Sequence, residues 1–391
     1  MRKENMMRHI QKLSLLLVSL LVISAGVLLP SLPEISSQFP SVNPTLVELL
    51  GTLPALFTML TVGFSPRIAR MVGYKHTVQI GLIVTLLSGL LPIFTSSFLL
   101  LFISRVTFGI GVGLFNPLLF SFSSQLYQGK EFSNMIGFQS AFEGAGGILT
   151  SFLVAYLVAG GWKHTLWTYL IIIPIFLFFS LFVPDIRPVE EAKGKEVKTS
   201  IDKGFIGYVL LLVILITVYM SVSIKLTEFL METGVGTATD TGNALALMGL
   251  GAMLAGLLFG RNMQLFKDWL LPLAFSGLSA SLFLLANSQQ VWLVFLLNFT
   301  IGLCFRTFIP FLLNKANQTS DGSGEKRTAL LLVAFNIGSA FAPISIRLLQ
   351  HLLSLQTVKD VYQAEAFFVL LIAVGAGLVT FYSRKNIHLA D

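Results

Sequence analysis

Apolar residues run through this chain in long blocks separated by short polar turns. Twelve blocks emerge, at about 13–33, 45–65, 77–95, 98–121, 134–158, 165–183, 205–230, 241–260, 269–286, 291–313, 328–350 and 364–383. Each is close to the ~20 residues that a helix needs to cross a bilayer core of about 30 Å. Lipid cannot satisfy open strand edges, so the expected elements are helices throughout. The first block, Leu13 to Pro33, follows a charged N-terminus and imitates a signal peptide, but it has no small-x-small cleavage site. We read it as a retained first span. Between the sixth and seventh blocks lies a charged stretch too short to fold alone, so the expected domains are 1–184, a linker at 185–204, and 205–391.

Composition agrees with this pattern. Hydrophobic residues make up 54% of the chain and charged residues 12%, against about 25% charged in soluble domains. Basic residues fix an expected orientation. With both termini cytoplasmic, 20 of the 26 Lys and Arg fall in inside loops and 3 in outside loops, the others lying in or at the ends of spans. A single miscounted helix would scramble that bias, so the expectation is a multi-pass protein of the cell membrane. The net charge of +7 is spread over short loops, which gives no nucleic-acid surface. Cys304 is the only cysteine and the histidines are scattered, so no disulfide, metal set or cofactor is expected. No phosphate-binding GxxxxGK[ST] loop is present, nor any nucleophile–base constellation, which argues against ATP use and against an enzyme.

The chemistry concentrates in the fourth and fifth blocks. Arg105 and Glu143 each place a charge inside an apolar span, at a cost of about 2.5–3.5 kcal/mol on insertion scales. Counted from the span ends, the two differ in depth by about 6 Å, so each is a candidate partner of the other. In a shared site, burial and the neighbouring cation would act on Glu143 in opposite senses, which suits a proton carrier. Arg105, Gly109, Gly113 and Pro117 recur every four residues and share a helix face, where glycines admit a neighbouring backbone and proline frees a carbonyl. Shifted by 193 residues, the stripe reappears as Asn298, Gly302, Arg306 and Pro310. Phe142–Glu143 shifts to Phe335–Asn336, and Glu34 shifts by 194 to Glu228. This offset predicts two six-helix halves of like topology with a cavity between them. Asn116, Gln139 and Asn336 are further mid-span polar residues, read first as helix–helix hydrogen bonding and second as substrate contacts. Arg306 either snorkels to the inner surface or lines the cavity. Glu34, Lys225 and Glu228 form a candidate outer gate, although a local Lys225–Glu228 helix pair explains the latter two equally well.

At these residues the chain resembles the major facilitator superfamily over essentially its full length. Arg105 to Gly113 (RVTFGIGVG) matches that superfamily's fourth-helix RxxxGxGxG motif, and Gly161 to Trp167 (GWKHTLW) resembles its GWRxxF motif. Leu29 to Pro33 (LPSLP) is similar to the PxLP signature of the drug–proton antiporter branch. The resemblance implies an all-α membrane fold of two pseudo-symmetric six-helix bundles. It implies a role for Arg105 in substrate anchoring or in tuning a proton-carrying carboxylate. In the loop after the second span, where the family reads GxxxDRxGRR, this chain keeps Gly73 and Lys75 with Arg67, but Arg70 stands where the acid belongs. The inner latch is therefore expected to be built from other residues. Thr150–Ser151 replaces the GP that ends the antiporter fifth-helix motif. The expected function is proton-coupled export of a small amphipathic solute or drug by alternating access, by a monomer in the bilayer. The alternatives are uptake of an organic anion and, in another class, a membrane sensor or scaffold that moves nothing.

Overall fold

The apolar blocks fold as helices because their backbone groups must be satisfied within each segment. The computed structural model describes residues 2–22, 24–185, 203–317 and 324–388. Close contacts divide the chain into two compact units, Met1–Glu196 and Val197–Asp391. No strand occurs among the described residues.

The first unit begins with α1 (Arg2–Ser19), a 3-10 segment (Ser24–Ser31) and α2 (Leu32–Gln38). The first apolar block is thus broken near Leu20, with Gly26 and Pro30 in the 3-10 segment that follows. Next come α3 (Pro44–Val62), the short α4 (Ser65–Val72) and α5 (Tyr74–Leu90). Then follow α6 (Phe98–Leu126), α7 (Gly129–Leu157), α8 (Trp162–Thr165), a 3-10 segment (Leu166–Ile171) and α9 (Ile172–Phe182). The second unit is plainer: α10 (Lys203–Thr233), α11 (Ala238–Phe266), α12 (Leu270–Ala286), α13 (Val291–Asn317), α14 (Gly324–Leu353) and α15 (Val358–His388). Among the described residues, ten stretches are long and apolar enough to cross a membrane. One of them, Ala238–Ala286, contains both α11 and α12, and the broken first span lies outside the ten.

The glycine stripe explains how α6 is held. A side chain on Gly109 would strike the Pro54 carbonyl of α3, and one on Gly113 would meet Thr61 at 2.6 Å. Two residues off that face, a side chain on Gly111 would strike Thr85 of α5, and Gly81 of α5 returns the approach to the Gly111 carbonyl. Backbones this close come within reach of side-chain hydroxyls: that of Thr58 in α3 donates to the Gly109 carbonyl at 3.0 Å and that of Ser65 in α4 to the Leu114 carbonyl at 2.6 Å. Pro117 lacks the N–H that would serve the Gly113 carbonyl one turn back.

The second unit repeats this packing internally. A side chain on Gly302 of α13 would strike the Met248 carbonyl of α11, and one on Gly251 of α11 would strike Phe299. Likewise Gly146 of α7 admits the Leu20 carbonyl at the break after α1, and Gly338 of α14 admits α10 at Val213 and Ile216. The 193-residue offset thus links not only residues but contacts. Leucine at Gly109 or Gly302 forces these backbones apart, and overpacking of this kind costs about 1–3 kcal/mol. Gly109→Leu and Gly302→Leu should therefore melt several degrees below the parent in detergent. Gly256→Leu, with open space around it, should not; equal melting of all three variants would contradict the packing account.

Candidate functional site

Arg105 in the first unit and Arg306 in the second stand inside the bundles and are held differently. In the first unit, Arg105 is fully buried seven residues into α6. Its guanidinium hydrogen-bonds the Tyr169 hydroxyl at 3.1 Å, the Ser104 hydroxyl at 3.3 Å and, at 3.5 Å, the Ser88 carbonyl. It also sits over the rings of Phe108 and Tyr169, 5.2 and 5.6 Å from their centres. Such contacts are worth about 2 kcal/mol or more when desolvated. Gly89 makes the arrangement possible, because a side chain there would meet the Tyr169 ring at 2.7 Å. Arg105 therefore ties α5, α6 and the 166–171 segment together through neutral partners. Glu143 was a candidate partner; the hydrogen bonds of the guanidinium run to Tyr169, Ser104 and Ser88. Glu143 lies half-buried at the middle of α7, deeper in its helix than the sequence-derived span implied, because α7 begins at Gly129.

In the second unit, Arg306 takes the place that Gly113 holds in the first. It lies half-buried with its guanidinium 6.0 Å from the centre of the Phe335 ring. It lines an apolar pocket of about 130 Å³ with Leu212, Ile309, Leu331 and Phe335, from α10, α13 and α14. Tyr219, stacked on Phe305 at 4.3 Å, is close enough to feel the Arg306 charge. This pocket lies within the second unit, among α10, α13 and α14. A cation on an apolar wall suits a solute that is greasy with one anionic or electron-rich end.

The remaining polar residues divide into packing roles and open ones. Glu34 accepts the Trp162 N–H at 2.9 Å, while Gln38 accepts the Trp162 indole N–H at 2.6 Å, tying α2 to α8. Lys225 reaches Glu228 at 2.8 Å, the local helix pair. Asn336 bonds back to the Leu332 carbonyl at 2.8 Å. Asn116 keeps a buried oxygen without a partner, as do Gln139 and Asn298. In the loop after α4, Gly73 adopts a positive φ of 92°, which its glycine permits. Arg67 stacks over Phe64 at 5.9 Å, and Asp185 approaches Gly73.

The tie at this end is instead one that the sequence argument missed. Lys12 of α1 is ion-paired with Glu131 of α7, with Arg8 at 3.8 Å and the Tyr127 ring 5.1 Å beneath Lys12. The Lys12 hydrogen bond holds the Glu131 carboxyl below its ordinary range. Burial, helped by Glu131, pushes the Tyr127 hydroxyl up to about 12. The only signal in the sequence was opposite charge at the ends of two spans, 119 residues apart.

The Major Facilitator Superfamily family model matches residues 14–235. The chain belongs to the major facilitator superfamily. Its fold is similar to that of a bacterial homolog of the human lysosomal transporter Spinster in an inward-facing, unoccupied form. That likeness has a TM-score of 0.68 at 15% identity and covers 96% of this chain and 95% of that one. It is also similar to the nucleoside transporter NupG, in a mutant form, with a TM-score of 0.76 at 12% identity, covering 95% and 100%. No curated protein matches by sequence. Membership marks the chain as a secondary transporter of the multi-pass membrane class, and the structural likenesses carry the fold.

The Glu131 tie has a pH dependence with a definite sign. A carboxyl held low in the folded state adds stability above its unfolded value of about 4.3, and loses it as pH falls through the folded value. The wild-type chain should therefore lose melting temperature on acidification more steeply than Glu131→Gln over the same range. Parallel acid limbs for the two proteins would mean that Glu131 contributes nothing.

Proposed function

We propose that this superfamily member carries a small amphipathic solute across the membrane in exchange for protons, by alternating access of its two halves. The observation that carries the reading is the apolar pocket walled by Arg306 and Phe335. Greasy walls favour an apolar body, and a single guanidinium selects for a negative or π-rich end. Export is the direction supported by the LPSLP signature at 29–33 and its likeness to the drug–proton antiporter branch. Uptake of an organic anion is the second reading, favoured by Arg306 itself. Glu143 is the proposed proton carrier of the first half, as a half-buried carboxyl amid the apolar length of α7. The basic-residue bias supports a cytoplasmic position for both termini.

The test uses purified chain and compounds found by thermal stabilisation, since a ligand that binds only the folded state raises its apparent stability. In vesicles with an imposed pH gradient, the parent should concentrate a stabilising compound. Arg306→Gln should weaken stabilisation by an anionic compound about tenfold, equivalent to about 1.4 kcal/mol, and leave a neutral analogue unchanged. Glu143→Gln should abolish uphill movement yet keep solute exchange. Binding without any flux would hand the case to the sensor or scaffold reading.

A further inference from the structure

A carboxyl absent from every motif in this chain lies buried on a packing face of the second unit. Glu365 sits two turns into α15 and is 3% exposed. Its neighbours on the same helix face, Val358, Val361, Tyr362, Ala366, Val369 and Ala373, are all buried, so the carboxyl occupies a packing face rather than a surface. Ser221 of α10 lies beside it, and Tyr362 precedes it by one turn. Glu365 Oε2, the Tyr362 hydroxyl and the Ser221 hydroxyl are all buried; the Ser221 hydroxyl is near enough to bear on the carboxyl, and none of the three makes a hydrogen bond of full geometry. Three such atoms in one place form an unfinished polar site. Next to it, Ser279 of α12 donates to the Ala366 carbonyl at 2.7 Å, fixing the backbone of α15.

We propose that Glu365, with the hydroxyls of Ser221 and Tyr362, is a proton-binding site of the C-terminal unit. It rests on the proton-coupled reading for its use, though not for its chemistry. Serine and tyrosine hydroxyls can either donate to a carboxylate or accept from a carboxylic acid by rotating their O–H. Such partners serve both protonation states, whereas a lysine or arginine would lock the ionised one. The step is simple: an O–H bond forms at Oε2 with a proton from water, and breaks to return it.

The charges around the site also supply a route. On α10, Ser221, Lys225, Glu228 and Glu232 follow one another at helical spacing. Exposure rises along them from fully buried Ser221, through Lys225 and the 41% exposed Glu228 side chain, to exposed Glu232. Tyr362 lies within electrostatic range of Glu228, Glu232 and Glu365, and it packs on Phe229 at 5.5 Å. Lys225 is engaged by Glu228. The other elements against α15 add little: α12 carries no ionisable residue, and Arg347 and His351 of α14 are exposed. Lys267 and Asp268 lie near Thr380, at the far end of α15, and Lys359 and Asp360 lie at its start, with Asp360 held by Thr357 at 2.7 Å.

The experiment is infrared pH-difference spectroscopy on the purified full chain, comparing the parent with Glu365→Gln, Glu143→Gln, Ser221→Ala and Tyr362→Phe. The parent should show the carbonyl band of a protonated carboxyl that disappears as pH is raised. Glu365→Gln should lose that component and Glu143→Gln should keep it. Ser221→Ala and Tyr362→Phe should each move its midpoint by about half a pH unit or more, a readout that survives even if Glu365→Gln does not fold. A parent band that never titrates, or one unmoved by all of the Glu365, Ser221 and Tyr362 changes, would overturn the proposal. A titrating Glu365 in a protein whose transport ignores the pH gradient would leave the site standing and remove the coupled function.

Discussion

The close approach of α6 to α3 constrains nearly everything else in the first unit. Glycine at positions 109 and 113 removes the side chains that would hold the two backbones apart, and the hydroxyls of Thr58 and Ser65 then reach carbonyls of α6. Gly111 does the same toward α5. With both flanks closed to within backbone distance, Arg105 one turn earlier is sealed from solvent. A sealed cation must find its partners in the protein, and it finds a phenol, a hydroxyl, a carbonyl and two ring faces. Because those partners come from α5, α6 and the 166–171 segment, the charge behaves as a post around which three elements are fixed.

The second unit uses the same backbone contacts and inverts the chemistry. Asn298 stands where Arg105 stood, fully buried and bonded back to the Val294 carbonyl at 2.9 Å. The cation has moved two turns along, to Arg306, where Gly113 stood. One half thus uses its arginine to fix helices and the other to wall a pocket. A duplicated bundle can tolerate this, because Gly302 and Gly251 already hold α13 on α11 without help from a charge.

Much of this was legible in the sequence because it follows from spacing. Apolar blocks set the helices, and the four-residue glycine stripe set the face of α6 that meets α3. The 193-residue offset marked Gly302 as the counterpart of Gly109, and the contact of α13 with α11 repeats that of α6 with α3. The rest needed three dimensions. The partners of Arg105 stayed open because depth can be counted along helices while the side chain's direction cannot; Tyr169, 64 residues away, carries no charge to attract notice. Glu365 was missed because the last block was started at 364, which put the carboxyl at a helix end, whereas α15 begins at Val358. The break after α1 was invisible to hydropathy, since the residues around it are as apolar as a helix.

The central claim, that Arg105 is held by Tyr169 and not by Glu143, is most directly tested by two double-mutant cycles on thermal stability. One pairs Arg105→Gln with Tyr169→Phe and the other pairs Arg105→Gln with Glu143→Gln. Residues in contact couple by about 0.5–3 kcal/mol, while independent ones add to within about 0.5 kcal/mol. The account predicts coupling in the first cycle and additivity in the second; additivity with Tyr169 and coupling with Glu143 would contradict it.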